Sequence, residues 1–251
     1  MIFDIFFMCS SLRIKESNKK FNEWMAGLID GNGCFQLSKK GYASLDITLE
    51  VRDKNCLFKI KDKYGGSIKL KKGCNWLRYR LHHKEGIINL INAVNGNIRN
   101  PNRIIQMAKI CDKYNIILIY PKLLDFYNGW LSGFIDSDGS IYLNEVSGQI
   151  FITASQKNKL LLDPLVDLYG GSIYTLSKVN AFKWVIYRKS EVLDLVEYFK
   201  IYPLRSKKMV RVRLINKIYD IFSNSGHKLN ENTIYGKIWK IYYKRWISYG
   251  L

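Results

Sequence analysis

Apolar and polar positions along this chain change period repeatedly, and each change marks an element boundary. Phe21–Asp30 sets Trp24 and Leu28 four residues apart with the small Ala26 and Gly27 between them, the spacing of a helix face. Cys34–Lys40 and Tyr42–Val51 then alternate, with Leu45, Ile47, Leu49 and Val51 on one face of the second run and Ser44, Asp46, Thr48 and Glu50 on the other. That period of two predicts a half-buried hairpin turning near Gly41. A helix is predicted over Leu57–Tyr64, stopped by Gly65-Gly66, then strands over Ser67–Lys72 and Trp76–His82 and helices over Glu85–Val94 and Arg103–Tyr114.

The same order returns further on. Gly27-Leu-Ile-Asp-Gly-Asn-Gly33 recurs as Gly133-Phe-Ile-Asp-Ser-Asp-Gly139, Tyr64-Gly-Gly-Ser-Ile68 as Tyr169-Gly-Gly-Ser-Ile173, and Ile98-Arg99 as Leu204-Arg205. Three matches in one order at nearly one displacement make the chain a tandem duplication. The second copy predicts helices over Phe126–Ile135, Leu160–Tyr169, Glu191–Phe199 and Lys207–Phe222 and strands over Ser140–Asn144, Gln149–Ser155, Ser172–Leu176 and Lys183–Tyr187. The expected organisation is a tail over 1–20, a first half over 21–116, a linker over 117–125 containing Pro121, a second half over 126–222, and a basic, aromatic extension over 223–251. The fold class is α+β.

Charge narrows the function classes. Forty Lys+Arg against 21 Asp+Glu give a formal +19, an excess that concentrates polyanions such as nucleic acid. Cys9, Cys34, Cys56, Cys74 and Cys111 form no C-x-x-C pair, and an odd count argues against a disulfide framework. His82, His83 and His227 make no H-E-x-x-H, and there is no Walker-type loop. Zinc hydrolysis and nucleotide-driven work are therefore disfavoured. Met1–Met8 is apolar but far short of the ~20 residues a membrane span needs, and it lacks a basic leader. A loosely packed tail and no membrane partner are expected.

Gly27 and Gly133 sit inside predicted helices, where Gly costs about 1 kcal/mol relative to Ala. Close packing of the two helix backbones would offset that cost and bring their ends, Asn32 and Asp138, together. Paired acids there would suit a hard divalent cation. Met25-Ala-Gly-Leu-Ile-Asp-Gly-Asn-Gly33 and Leu131-Ser-Gly-Phe-Ile-Asp-Ser-Asp-Gly139 resemble the two motifs of a single-chain LAGLIDADG homing endonuclease, over about residues 21–222.

The resemblance implies a monomer of two αββαββα halves related by a pseudo-two-fold axis, with antiparallel sheets forming a saddle on double-stranded DNA. A sheet in the major groove can read base edges. The faces opposite the apolar ones would meet DNA: Gln36, Ser38, Lys40, Ser44, Asp46, Thr48, Glu50, Lys69, Lys71, Arg78, Arg80 and His82, then Tyr142, Asn144, Gln149, Thr153, Ser155, Lys183 and Tyr187. In the resembling family the eighth motif residue, here Asn32 or Asp138, is the metal-binding acid, and the seventh, Gly31 or Ser137, adds its carbonyl oxygen. Mg²⁺ is the implied cofactor, with Ca²⁺ or Mn²⁺ able to take the same sites. Pro203-Leu-Arg-Ser-Lys-Lys208 resembles the segment that brings a basic residue, assigned to Lys207, near the hydrolytic water; the first half has Asn102 at that place, followed by Arg103. Gln156 resembles a polar residue near the family's active site, and Val51 is its displaced partner.

Asn32 departs from the motif, so the first centre is expected to be impaired, giving nicking or slow double-strand cutting of a long asymmetric site. Asp30 and Asp136 are expected to have a structural, helix-ending role. An alternative is a maturase assisting host intron RNA; another is a DNA-binding protein without catalysis. The Lys/Ile/Asn/Tyr bias suits an AT-rich mitochondrial or other organellar genome, where synthesis inside the organelle needs no targeting peptide.

Overall fold

The computed structural model describes residues 2–230 and 232–248, with side chains described from Lys15 onward. The first half runs α1 (Ile2–Asn32), β1 (Gly33–Leu37), β2 (Ala43–Glu50), α2 (Lys54–Tyr64), β3 (Ser67–Leu70), β4 (Trp76–Leu81), α3 (Lys84–Val94) and α4 (Pro101–Lys113). The second runs α5 (Trp130–Asp138), β5 (Gly139–Leu143), β6 (Ile150–Gln156), α6 (Asp163–Tyr169), β7 (Ser172–Leu176), β8 (Ala181–Ile186), α7 (Lys189–Ile201) and α8 (Lys208–Ser223), with α9 (Ile234–Ile247) added. Each half holds a four-stranded antiparallel sheet, in the orders β1-β2-β4-β3 and β5-β6-β8-β7. The α+β class and the duplication stand.

Differences from the sequence reading lie at element ends. The segment taken for a loose tail is helical, because α1 extends back to Ile2, although Lys15–Lys19 remain exposed. The motif helix of the second half starts at Trp130 rather than Phe126. Gly129 gives its N–H to the Glu23 carboxylate (2.8 Å) and Asn128 caps Trp130 N (2.8 Å), which fixes a turn there. Pro164, favoured in a first turn, delays α6 to Asp163. Lys40, Lys71, His82, Asn144, Gln149 and Tyr187 fall just beyond strand ends. The extension is a helix covering the second core: α9 packs on α8 and buries Trp246.

Register defines the internal symmetry residue by residue. Ile47 pairs Tyr79, whose hydroxyl donates to Gly65 O; Ala154 pairs Trp184, whose indole donates to Gly170 O. The equivalence therefore runs 107 residues from β2 to β6 and 105 from β4 to β8. Leu45, Ile47 and Leu49 face one core, and Ile150, Ile152 and Ala154 the other.

Candidate functional site

The two motif helices cross at their glycines. A Cβ built on Gly27 would lie 2.7 Å from Phe134 N and nearer still to Trp130 O; one on Gly133 would lie 2.8 Å from Leu28 N and nearer still to Trp24 O. Small residues at these points are thus a condition of the fold. Exchanged side chains lock the crossing. Trp24 Nε1 donates to Asp136 Oδ2 (2.8 Å), and Trp130 Nε1 donates to Asp30 Oδ2 (2.7 Å). Each carboxylate also accepts backbone N–H groups downstream in its own half: Arg99 and Asn100 on Asp30, Arg205 and Ser206 on Asp136. The structural role expected of both is what they perform, each tying three elements together, but neither ends its helix: α1 and α5 run two residues further, to Asn32 and Asp138. Burial pushes the Asp30 carboxyl up to about 7 against those donors, and it raises Asp136 too.

The crossing delivers both motif ends to a cavity of about 420 Å³. Asp138 is on its wall, with Gln156 Nε2 donating to Asp138 Oδ2. Burial raises the Asp138 carboxyl to about 6, opposed by the charges of Lys208 and Arg103. Of the two adjacent lysines it is Lys208, not Lys207, that lines the cavity, together with Arg52 and Arg211. The Lys208 ammonium donates to Ile135 O and Asp136 O (2.8 Å each), and burial lowers its pKa. Lys207 instead meets the Asp53 carboxylate through its backbone N–H (2.9 Å).

Across the pseudo-dyad each of these groups is lost. Asn32 stands at the Asp138 position and gives a long contact (3.5 Å) from its amide to Ser137 O. By register the equivalent of Gln156 is Leu49, not Val51, and Leu49 cannot donate a hydrogen bond. Asn102 is the equivalent of Lys208: each gives its backbone N–H to the capping side chain two residues earlier, Asn100 Oδ1 (3.1 Å) and Ser206 Oγ (3.2 Å). Asn102 is exposed, whereas Lys208 is buried.

The donor set fits a hard cation on one side only. Asp138 offers a carboxylate, with Gly31 and Ser137 beside it in the crossing, while Asn32 offers an uncharged amide. Among the described residues no cluster of three His, Cys, Asp or Glu side chains forms.

On the first sheet, Gln36, Ser38, Ser44, Lys69, Arg78, Arg80 and His82 line one open trough, joined by Tyr42 and Ser67. Lys40 and Lys71 are exposed near the strand ends, and Thr48 is half-buried. Two residues assigned to this face do other work. Asp46 is 7% exposed and takes both Arg78 and Arg80, and Glu50 lines the central cavity paired with Arg52. On the second sheet Thr153 is 2% exposed, closed in at the sheet centre between its partners Ser140 and Val185, and so is withdrawn from the accessible face. Tyr142 stacks on Phe151 at 4.7 Å, and Lys183 lies over the Tyr142 ring. Ser155 is half-buried and Asn144 exposed, while Gln149 and Tyr187 share a hollow at the far end with Phe222. Phe151, Lys208 and Asp53 escaped the sequence reading. Lys208 was findable from its 106-residue spacing to Asn102; nothing in the sequence brings Asp53 to this cavity.

Among the described residues no helix is long and apolar enough to cross a membrane. The family model of LAGLIDADG endonucleases matches residues 25–128 and 131–219. The chain is 42% identical over 238 residues to the intron-encoded RNA maturase bI4 of Saccharomyces cerevisiae, covering 92% of this chain and 37% of that protein. It is 41% identical over 244 residues to the intron-encoded DNA endonuclease ai2a of Dictyostelium discoideum, covering 92% and 76%. The chain thus spans little more than a third of the yeast relative. Among solved structures it resembles the LAGLIDADG meganuclease I-AabMI bound to uncleaved DNA, at TM-score 0.62 and 20% identity over 82% of this chain and 92% of that one. Two motifs at this spacing, two equivalent sheets and the family match lead to one conclusion: the chain belongs to the LAGLIDADG endonuclease family.

Proposed function

We propose that the chain is an intron-encoded DNA endonuclease of the homing type, binding a long asymmetric duplex as a monomer and cutting chiefly at the centre built on Asp138. The asymmetry of the cavity carries this reading: Asp138, Gln156 and Lys208 on one side face Asn32, Leu49 and Asn102 in the equivalent places. Asp138, with the carbonyl oxygens of Ser137 and Gly31, would hold Mg²⁺. A bound divalent cation supplies the Lewis acid that activates water and neutralises the leaving oxygen. Gln156 fixes the carboxylate rotamer, and Lys208 contributes a buried positive charge where the scissile phosphate would lie. Near pH 7 a carboxyl at about 6 is mostly ionised and ready for a cation. The base bias and the intron-encoded relatives support an organellar setting.

The test is cleavage of a supercoiled plasmid carrying a site selected from a randomised duplex library, with Mg²⁺. The unaltered protein should nick faster than it linearises. Asn32→Asp should raise linear product, and adding Leu49→Gln and Asn102→Lys should raise it further; no gain from either would sink the two-centre account. Asp138→Asn should stop cleavage while affinity persists, because phosphate contacts dominate binding.

One observation favours a second reading. A relative named as an RNA maturase shares 42% identity, and a maturase has no need of a second acid. Parallel binding to intron RNA and duplex DNA, with and without Mg²⁺, separates the two: RNA affinity and splicing rescue without nicking would replace the endonuclease reading.

A further inference from the structure

Asp46, only 7% exposed, is bonded to two of the arginines that line the first sheet's trough. Arg80, its partner across the β2–β4 ladder, gives Nε and Nη2 to its two oxygens (2.8 Å each). Arg78, one step along the same face, does the same at 3.1 and 2.6 Å. Burial alone would raise the Asp46 carboxyl, but the two guanidiniums outweigh it and hold it below its usual range, so it stays ionised. Each guanidinium spends one edge on Asp46. Nη1 and the second Nη2 hydrogen take no part in that pairing, and each arginine side chain is just over 40% exposed. A fork held in this way presents two parallel donors at fixed angle, the complement of guanine O6 and N7 in the major groove.

We propose that Arg78 and Arg80, clamped by Asp46, read two guanines in the half-site under the first sheet. The assignment rests on the DNA-binding reading above and deepens it to base identity. Two residues along a strand advance about 6.6 Å, and bases rise about 3.4 Å per step, so one base pair is expected between the two guanines. The pseudo-dyad supplies a built-in contrast. Thr153, Lys183 and Val185 occupy the places of Asp46, Arg78 and Arg80, so the second sheet holds no fork there and imposes no such guanine pair.

The experiment is selection of bound duplexes from a randomised library without divalent metal, so that cutting does not intervene. The unaltered protein should enrich two guanines in one half of the site. Arg78→Lys and Arg80→Lys keep the charge and lose the fork; each should relax preference at its own position by roughly tenfold or more while total affinity changes little. Asp46→Asn should relax both positions together. An enriched site without guanines in either half, or one whose guanine preference survives both lysine variants, overturns the assignment and leaves the DNA reading standing. Equal weakening on every sequence means the forks hold phosphate, which also overturns it. Failure to enrich any duplex removes the DNA reading and this assignment with it.

Discussion

Replacing Gly27 with Ala tests the joint on which both centres depend. The added Cβ would lie 2.7 Å from Phe134 N and nearer to Trp130 O, where ordinary contacts begin at 3.4 Å. Backbone cannot swing aside as a long side chain can, so α1 and α5 must separate by about 1 Å. Overpacking of this kind costs about 1–3 kcal/mol. The same shift lengthens the Trp24–Asp136 and Trp130–Asp30 bonds, now 2.8 and 2.7 Å. Leaving such buried partners unsatisfied costs about 1–3 kcal/mol each. Helix propensity returns only about 1 kcal/mol. The balance is a loss of about 2 kcal/mol or more, readable as a lowered urea midpoint by circular dichroism and by tryptophan fluorescence. Gly133→Ala should behave alike, and the double variant should lose less than the sum, since either change alone already parts the helices. Gly27→Ala stability that is unchanged, or higher by the propensity alone, would refute the close-packing argument.

Two further outcomes are expected. Lys208→Met should slow single-turnover nicking about 10²-fold or more, whereas Lys207→Ala should leave it within a fewfold; the reverse order would return the basic role to Lys207. Stability should fall as pH rises from about 4 to about 7: Asp30, raised to about 7, keeps its proton in the folded chain after the unfolded chain has released it, and Asp136 and Glu23 are raised in the same sense. Asp30 alone accounts for at most about 4 kcal/mol of that loss. Urea midpoints at pH 5 and pH 8 decide it, and a higher midpoint at pH 8 would contradict the burial argument.

Periodicity made the strands and most helices legible, because Leu45, Ile47 and Leu49 need one buried face whatever packs on it. The repeat made the motif pair legible, and with it the deficit at Asn32. Boundaries set by single tertiary bonds were not legible: the Glu23 carboxylate on Gly129 N moves the start of α5, and it lies 106 residues away. A slip of one or two residues also misdirected two assignments. The resemblance of the Pro203–Lys208 segment put Lys207 in the cavity in place of its neighbour Lys208, and a uniform displacement matched Gln156 to Val51. The ladders show displacement differing between β2 and β4, so Leu49 is the true counterpart. Asp46 looked like a groove contact because alternation reports a face, whereas its engagement depends on Arg78 and Arg80 from another strand.

The duplication has therefore diverged in opposite directions on its two surfaces. Around the cavity the second half keeps carboxylate, amide and ammonium, while the first has Asn32 and Leu49 and, in the place of Lys208, an exposed Asn102. On the sheets the first half has two clamped arginines where the second has Lys183, Thr153 and Val185. On the proposed reading, a half that binds firmly need not cut for the target to be chosen, since base preference would come from the sheet faces and not from the cavity. Reading concentrated in one half and cutting in the other would still give a site-specific nick. The same distribution would let cleavage disappear altogether through Asp138 alone, with recognition intact. Grafting Arg78, Arg80 and Asp46 onto Lys183, Val185 and Thr153 should then add a guanine preference to the second half-site without changing which strand is cut. A change of strand would mean that recognition and catalysis are not separable in this chain.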